Sequence, residues 1–263
     1  MPVTKVKSRP IILTIAGFDP SSGAGITADI KTIGAHKCYG VACITALTVQ
    51  STRGVKSVEP VEGRVITESL ETLADDLEIA AVKIGMLGTA EAARSVAAFL
   101  KRHQPRFVVL DPILKSSSGA DLLEKDALAV LRNRLLAQAT VITPNIAEAA
   151  ELTGVKISNV HEMEAAALVL HRMGAHDVII TGGHMEPPVD LVSLHPGKRV
   201  TLLNGEKVVT PATHGTGCAF STSLACHLAT GKKLVDAARA AKKFVEAALR
   251  NPPIVGKGVG PVI

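Results

Sequence analysis

Residues 11–37 read IILTIAGFDPSSGAGITADIKTIGAHK. The apolar run 11–16 ends at Gly17, small and polar residues follow over 18–25, and apolar residues then recur at helical spacing over 26–37. A short apolar run bounded by glycine predicts a strand, and a spacing of three to four residues predicts a helix. This stretch is therefore predicted to form a strand, a loop and a helix in succession.

The same pattern recurs along most of the chain. We predict strand 39–48 with helix 64–77, strand 81–84 with helix 90–103, strand 107–110 with helix 124–136, and strand 140–143 with helices 147–153 and 161–173. Consecutive parallel strands need a helix-length connection between them, so the alternation predicts a mostly parallel sheet covered by helices on both faces.

The pattern changes after a predicted strand at 177–181. Short β-like runs at 189–194, 200–203 and 207–209 are separated by His195-Pro196-Gly197-Lys198 and by Asn204-Gly205, a strong hairpin signal. We expect an antiparallel patch at the sheet edge, followed by helices 218–230 and 233–250. The fold prediction is an α/β three-layer sandwich, with a (β/α)₈ barrel as the second choice.

Length and composition limit the class of protein. The 263 residues are 47% hydrophobic and 20% charged, which indicates one packed domain. We place this domain at 11–263, after an N-terminal tail at 1–10. Six aromatic residues and a scattered net charge of +5 argue against a nucleic-acid partner. Four cysteines without a C-x-x-C pair predict a cytoplasmic protein, and we expect neither a signal peptide nor a membrane span.

Polar or glycine-rich residues follow six predicted strands in turn. They are Gly17–Gly25, Gln50-Ser51-Thr52, Gly85-Met86, Asp111-Pro112, Pro144–Glu148 and Gly182-Gly183-His184. Each group alone is more typical of a turn. Because the carboxyl ends of parallel strands meet at one edge of a sheet, six in succession predict a ligand site there.

Residues 213–218, Thr-His-Gly-Thr-Gly-Cys, lead into an apolar helix. Glycine lets the backbone approach a ligand closely, and the unpaired N–H groups of a helix start favour an anion. The alternative is an ordinary glycine-rich loop. Neither a P-loop nor a dinucleotide-binding G-x-G-x-x-G follows the first strand, which argues against both of those nucleotide-binding classes.

The motifs together resemble a known family. They are Ala16-Gly17-x-Asp19-Pro20-Ser21-x-Gly23-Ala24-Gly25, Ala46-Leu47-Thr48-x-Gln50-Ser51-Thr52, Lys83-Ile84-Gly85-Met86-Leu87, Thr143-Pro144-Asn145-x-x-Glu148-Ala149, Gly182-Gly183-His184, Thr213–Cys218 and Gly256-Lys257-Gly258-x-Gly260-Pro261. This set, spread over residues 11–262, is similar to the hydroxymethylpyrimidine/phosphomethylpyrimidine kinases of thiamine biosynthesis, in the ribokinase-like superfamily. The resemblance implies a ribokinase-like α/β/α sandwich.

The resemblance also implies the reaction and a pyrimidine site. The reaction would be ATP-dependent phosphorylation of 4-amino-5-hydroxymethyl-2-methylpyrimidine and then of its monophosphate, with Mg²⁺. Gln50 would bind the pyrimidine through its amide, and Gly17, Asp29 and Met86 match positions that line the same pocket. Taken alone, Met86 is more typical of the core, and Asp29 of a solvent-facing helix carboxylate.

Four residues at the helix start match the family's catalytic positions: Cys218, Gly215, Thr216 and Gly217. The N–H groups of the last three would hold the transferring phosphoryl group, while Cys218 would orient the hydroxyl and accept its proton. A helix start is expected to lower the pKa of the Cys218 thiol. The alternative role of Cys218 is structural, as a small side chain packed in the core at the helix start.

The remaining matches concern metal and nucleotide. Asp111 and Glu148 match the family's acidic positions near magnesium. As alternatives, Asp111 would belong to an Asp-Pro turn, and Glu148 would be a carboxylate in the first turn of a helix, where the dipole favours it. By the resemblance, ATP would contact Asn145, Thr181 and Lys242. For Lys242 and its neighbour Lys243, a role as solvent-exposed charges on the last helix is an equally good interpretation.

The sequence departs from the family pattern at two positions, and the function has rivals. Many members have Lys where Thr181 stands and Gly where Ser22 stands. The loss of that Lys removes a fixed positive charge near the ATP phosphates. Pyridoxal kinase activity and a non-catalytic pyrimidine-binding module are the alternative functions. Relatives suggest a homodimer. The expected small-molecule partners are the pyrimidine and ATP, and we expect the protein to bind neither nucleic acid nor a membrane.

Overall fold

The computed structural model describes residues 9–116, 119–197 and 199–263. All nine strands in those residues join one sheet. They are β1 (Ile11–Phe18), β2 (Tyr39–Ser51), β3 (Gly54–Pro60), β4 (Ile79–Ile84), β5 (Val108–Leu110), β6 (Val141–Ile142), β7 (Asp177–Ile180), β8 (Val189–Leu194) and β9 (Arg199–Asn204). Most of the predicted tail, residues 1–8, lies outside the described part.

The strand order is β3-β2-β1-β4-β5-β6-β7-β8-β9. Strands β2, β1, β4, β5, β6 and β7 are parallel to their neighbours in this order. Both edges are antiparallel, with β3 pairing β2 at one end and β8 and β9 continuing from β7 at the other. The sheet is open, which excludes the barrel and confirms the predicted sandwich.

Two local predictions at the sheet edges are wrong. The sequence does not predict β3, because its residues GVKSVEP are all half-buried or exposed and carry no apolar alternation. The segment 207–209 is not a strand, and Asn204-Gly205 ends β9 instead of forming a hairpin, since Gly205 N–H donates to the Pro188 carbonyl. The turn between β8 and β9 instead contains His195-Pro196-Gly197.

In the described part of the chain, eight α-helices cover the two faces of the sheet. They are α1 (Gly25–Ala35), α2 (Gly63–Asp76), α3 (Ala90–His103), α4 (Lys125–Val130), α5 (Ile146–Thr153), α6 (Val160–Arg172), α7 (Thr216–Ala229) and α8 (Leu234–Arg250). The chain after α4 continues as a π-turn and a short 3₁₀ turn, where a single helix was predicted. Among the described residues, no helix has the length and apolar character needed to cross a membrane.

The hydrophobic core has one layer on each face. One layer contains Ile66 of α2, Phe99 of α3 and Met163 of α6, together with the inward side chains of the central strands. The other contains Ile33 of α1, Leu224 of α7 and Ala241 of α8. This arrangement brings the carboxyl ends of the parallel strands and the start of α7 to the same edge of the sheet.

Candidate active site

Two loops pack against each other at the carboxyl edge, the β1–α1 loop and the loop before α7. Gly215, the N-cap residue of α7, has φ +83°, and a Cβ there would lie 1.8 Å from the Gly23 carbonyl oxygen. Only glycine fits this conformation and this contact. Ser22 has φ +59°, so it occupies a backbone conformation that favours the glycine of the resembled family. The two loops therefore form one continuous wall.

Gln50 lies beside this wall, near the end of β2. Its Nε2 is 3.1 Å from His214 Nε2, and its Oε1 is 3.1 Å from the Thr48 hydroxyl. His214 Nε2 is also 2.8 Å from Asp19 Oδ2. Burial raises the pKa of Asp19, but hydrogen bonds from His214 and Ser21 outweigh it and lower that pKa. A small cavity adjoins these groups and is lined by Gln50, His214 and Val259 among others.

Gly17 and Met86 are in contact, as the predicted pocket requires. A Cβ at Gly17 would lie 2.9 Å from the Met86 sulfur, so the absence of a side chain there leaves room for the thioether. Met86 is 6% exposed, and its carbonyl accepts a hydrogen bond from Thr45. The main-chain oxygen of Gly17 also lies against Gly25, at the start of α1. The two residues thus lie at the ends of β1 and β4, beside Thr45 and Ala46 of β2.

Cys218 lies in the first turn of α7 and is 5% exposed. The predicted low pKa is wrong: burial raises the pKa of the thiol to about 12, and Asp29 and Asp111 add to the rise. Lys83 and a hydrogen bond from the Gly25 N–H act in the opposite direction without reversing it. Cys218 is therefore a thiol, not a thiolate, at neutral pH.

The helix start around Cys218 offers backbone N–H groups. The Thr216 N–H already reaches the Thr213 carbonyl at 3.4 Å. The N–H groups of Gly217 and Cys218 belong to the first helical turn, where no preceding helical carbonyl is available. They are the better donors toward an anion.

Asp29 does not line the pocket, contrary to the sequence prediction. Its side chain is 0% exposed and accepts hydrogen bonds from Thr14, Thr222 and Lys83, whose Nζ lies 2.9 Å from Oδ2. It is not a solvent-facing helix carboxylate either. A carboxylate with these partners has no capacity left for a ligand, so Asp29 lies in a polar layer beneath the site.

Lys83 belongs to one of the motifs in the sequence, but the sequence predicts no role for it. It is fully buried in β4, and a Cβ at Gly85 would lie 2.7 Å from its Nζ. Burial alone would lower its pKa, but attraction to Asp29, Cys218 and Asp111 outweighs that and raises it. Lysine is almost never fully buried without a partner. A lysine within an apolar strand was therefore the signal for a buried ion pair.

Asp111 and Glu148 come together from the ends of β5 and β6. Burial raises the pKa of Asp111 to about 6, against the opposing effects of Lys83 and a hydrogen bond from Ser221. Burial, followed by the nearby Asp111, raises the pKa of Glu148 to about 8. Two buried carboxylates at close range are typical of a cation site.

Asn145 and Glu148 form a capping box at the start of α5. The Asn145 side chain accepts from the Glu148 N–H at 2.9 Å, and Glu148 Oε2 accepts from the Asn145 N–H at 2.8 Å. Within the described residues, no group of three or more His, Cys, Asp or Glu side chains can hold a metal. Mg²⁺ commonly takes only one or two carboxylates, with phosphates and water completing its shell, so the pair fits that ion.

Thr181 lies directly beside Asn145, since the two residues form a parallel bridge and Thr181 N–H donates to the Pro144 carbonyl. Lys242 is not the solvated helix charge that the sequence offered as an alternative. Its Nζ lies 2.8 Å from Asp190 Oδ2, and its side chain is 11% exposed. Asp190 Oδ1 in turn accepts from the Gly182 N–H, so Lys242 anchors the loop after β7 through Asp190.

Comparisons with known proteins identify the family. A family model described as phosphomethylpyrimidine kinase matches residues 19–263. The hydroxymethylpyrimidine/phosphomethylpyrimidine kinase of Haemophilus influenzae is 44% identical over 255 residues, which are 95% of this chain and 94% of that protein. The thiamine biosynthesis bifunctional protein ThiED of Geobacter sulfurreducens is 39% identical over 97% of this chain, which spans only 52% of that protein.

A solved structure shares the fold closely. The ADP complex of Bacillus subtilis pyridoxal kinase superposes with a TM-score of 0.87 at 35% identity, covering 97% of this chain and 96% of that one. The resemblance found in the sequence is thus confirmed over nearly its whole extent. The chain belongs to the phosphomethylpyrimidine kinase family.

Proposed function

We propose that this protein transfers the terminal phosphoryl group of ATP to 4-amino-5-hydroxymethyl-2-methylpyrimidine, and then to its monophosphate, in thiamine biosynthesis. The observation that carries the proposal is the order of groups along one sheet edge: the Gln50 amide, the helix start at Cys218, and the carboxylates of Asp111 and Glu148. Phosphoryl transfer depends mainly on positioning and charge stabilisation, which these groups supply in sequence. The names of the relatives support the same reaction.

The pyrimidine end of the site consists of Gln50, Gly17 and Met86. The Gln50 amide offers both a donor and an acceptor, which complements a ring nitrogen beside an exocyclic amine. The thioether of Met86 provides an adaptable apolar surface for the ring. Because a side chain at Gly17 would collide with Met86, the two residues together set the width of the slot.

The phosphoryl end lies at the start of α7. The N–H groups of Gly217 and Cys218 would donate to the transferring group, and the helix dipole favours its negative charge. Cys218 orients the substrate hydroxyl as a neutral thiol. In a loose transition state the alcohol proton leaves late, so the reaction does not need a resting thiolate.

The nucleotide and metal belong to the far end of the same edge. Asp111 and Glu148 would hold Mg²⁺, which would neutralise charge on the phosphates. Asn145 and Thr181 lie next to them and face the nucleotide. Lys242 contributes indirectly, because its ion pair with Asp190 fixes the Gly182 N–H.

A homodimer in the cytoplasm completes the proposal. Leu47 and Val49 of β2 are 49% and 52% exposed, and a second copy would cover such an apolar strip. All four cysteines are free thiols, which suits a reducing compartment. Sedimentation at micromolar concentration tests the dimer, and a Leu47→Glu variant that still sediments as the dimer would exclude this strip as the contact.

The reaction itself is tested with Gln50→Ala. The variant leaves polar groups of a buried aminopyrimidine unpaired, at a cost on the order of 1–3 kcal/mol, so KM for the pyrimidine rises about tenfold or more. KM for ATP stays within about twofold, because Gln50 lies at the opposite end of the site from the carboxylates. Products are identified by mass, with pyridoxal as the comparison substrate.

Two outcomes separate the parts of this proposal. A wild-type protein that phosphorylates pyridoxal but no pyrimidine would overturn the reaction. A Gln50→Ala variant with wild-type KM for the pyrimidine would leave the reaction standing and remove Gln50 from the site.

A further inference from the structure

His214 joins two polar groups at the pyrimidine end and is itself firmly held. It is 8% exposed, and a Cβ at Gly23 would lie 2.2 Å from its Cδ2, so the ring packs flush against the β1–α1 loop. Its backbone N–H donates to the Gly260 carbonyl, and its carbonyl accepts from the Val262 N–H. The position of its Nε2 is therefore fixed relative to Gln50.

The proton on His214 Nε2 follows from its contact with Asp19. The Asp19 carboxylate accepts hydrogen bonds from the Ser21 N–H, the Ser21 hydroxyl and the Ala24 N–H, all between 2.7 and 2.9 Å. A carboxylate with these donors stays ionised and only accepts. His214 Nε2, 2.8 Å from Asp19 Oδ2, must therefore carry a hydrogen. Such a nitrogen cannot accept a hydrogen bond from the Gln50 amide nitrogen.

Thr48 constrains the other end of the Gln50 amide. Its hydroxyl has one proton and lies 2.9 Å from the Phe18 carbonyl oxygen, which only accepts. The group of Gln50 that lies 3.1 Å from the Thr48 hydroxyl is therefore best satisfied if it is a donor. The oxygen and nitrogen of an amide are nearly equal in size, and their assignment follows from the hydrogen-bond network. Exchanging the two in Gln50 places a donor toward the Thr48 hydroxyl and an acceptor toward His214 Nε2, whose one N–H is then shared between Asp19 Oδ2 at 2.8 Å and the Gln50 oxygen at 3.1 Å, instead of opposing the amide N–H.

We propose that His214 is a positioning residue that fixes the Gln50 amide with its oxygen toward the imidazole and its NH₂ group toward Thr48. The inference rests on the proposed function and assigns a specificity role within it. The fixed amide keeps one N–H and one oxygen lone pair for the substrate, in a set order. A 4-aminopyrimidine presents a ring-nitrogen acceptor beside an amine donor, and only one order of amide groups matches it with the hydroxymethyl group toward α7.

The same constraint explains discrimination against related rings. A pyridine such as pyridoxal has no amine beside its ring nitrogen, so it gains nothing from this order. Without His214, the Gln50 amide is free to turn over and to serve either ring. Loss of the imidazole therefore lowers the preference for the aminopyrimidine rather than the catalytic rate.

The test compares His214→Ala with His214→Gln, which keeps an N–H near the position of Nε2. For the alanine variant we expect KM for the pyrimidine to rise about tenfold, the ratio of pyrimidine to pyridoxal kcat/KM to fall about tenfold, and kcat to stay within about threefold. The glutamine variant restores KM to within about threefold. His161→Ala, in the exposed first turn of α6, is the matched histidine control and should match the wild type.

A double-mutant cycle shows whether His214 acts through Gln50. In the Gln50→Ala background, His214→Ala should leave KM unchanged; additive effects of the two changes would overturn the proposal. Equal KM values in the wild type and the His214→Ala variant would also overturn it.

A spectroscopic readout keeps this inference separate from the proposed function. Imidazole ¹⁵N shifts of the wild-type protein should report a proton on His214 Nε2, and an unprotonated Nε2 would refute the assigned amide orientation even in an active enzyme. If the wild type phosphorylates no pyrimidine, the proposed function and the specificity role both fail. A protonated Nε2 would then still support the amide orientation.

Discussion

Two buried pairs of ionisable groups lie beneath and beside Cys218. One pair consists of opposite charges and the other of like charges. Lys83 and Asp29 are opposite charges, both 0% exposed, with two threonine hydroxyls completing the shell of the carboxylate. Asp111 and Glu148 are like charges, 4% and 8% exposed, and both have raised pKa values. The first pair is complete within the protein, whereas the second pair consists of two like charges at the end of the site where we propose that a cation binds.

The difference separates residues that support a site from residues that bind a ligand. A buried charge alone does not indicate a ligand contact, because Asp29 is as buried as any residue in the chain and contacts only protein groups. Buried like charges without a compensating cation are costly and therefore typical of functional sites. Substitutions in the two pairs should accordingly change stability in opposite directions.

The largest expected effect is that of Asp29→Asn. Removing one charge of a buried pair leaves the Lys83 ammonium uncompensated, which should lower the free energy of unfolding by about 3–5 kcal/mol. Urea denaturation measures it. Asp236→Asn is the matched control, because the same substitution there breaks an exposed ion pair with Arg239, and it should change little. A loss at Asp29 no larger than at Asp236 would show that the buried pair is not an essential support.

Cys218 lies within electrostatic reach of both pairs and gives the next effect. Cys218→Ala should lower kcat roughly 10²-fold through loss of hydroxyl positioning, with the free energy of unfolding nearly unchanged. The raised thiol pKa predicts slow alkylation of Cys218 at pH 7.5 that accelerates toward about pH 12. A rise of kcat with an apparent pKa near 7 that disappears in Cys218→Ala would restore the thiolate as a base.

Glu148→Gln should stabilise the ligand-free protein, in contrast to Asp29→Asn. The folded pKa of about 8 lies above that of the unfolded chain, so the stability gained by keeping Glu148 protonated is fully present below about pH 4 and is lost as pH rises through 8. The glutamine keeps the capping contact with Asn145 and removes the charge. At pH 8 we expect a gain on the order of 1–3 kcal/mol by urea denaturation.

The same variant should lose function. Turnover should fall, and its dependence on Mg²⁺ concentration should weaken, because one of the two carboxylates has lost its charge. A Glu148→Gln protein that is less stable at pH 8, or that keeps the wild-type Mg²⁺ titration, would return Glu148 to a purely structural role as the cap of α5.

The smallest expected effect is that of Thr181→Lys. It places a cation beside Asn145, near the end of the site where the like-charged pair lies. KM for ATP should fall a few-fold, as for one partly solvated charge contact, with kcat little changed. Thr181→Met is the uncharged control of similar length. A weaker affinity for ATP in an intact fold would show that position 181 does not face the phosphates.

The sequence predicted most of the parallel core, and the site residues it proposed stay predictions. Short apolar runs followed by helical spacing placed β1, β4 and β7 to within two residues, and the polar residues after the strands do meet at one edge. The antiparallel edge strand β3 was missed because neither of its faces is buried, so it has no hydrophobic alternation to detect. Gln50, Met86 and Asp111 were proposed for the site because the residues that flank them form recognisable motifs.

The sequence by itself determined the alternation of parallel strands and helices, since hydrophobic spacing and glycine positions act over a few neighbouring residues. Only the tertiary structure decided the state of the charges. Asp29 meets Thr222 across 193 positions of the chain, and His214 meets Asp19 across 195. Local patterns carry no information about partners so distant. The satisfied Asp29, the ion-paired Lys242 and the neutral Cys218 thiol therefore follow from burial and contacts that form only when the chain has folded.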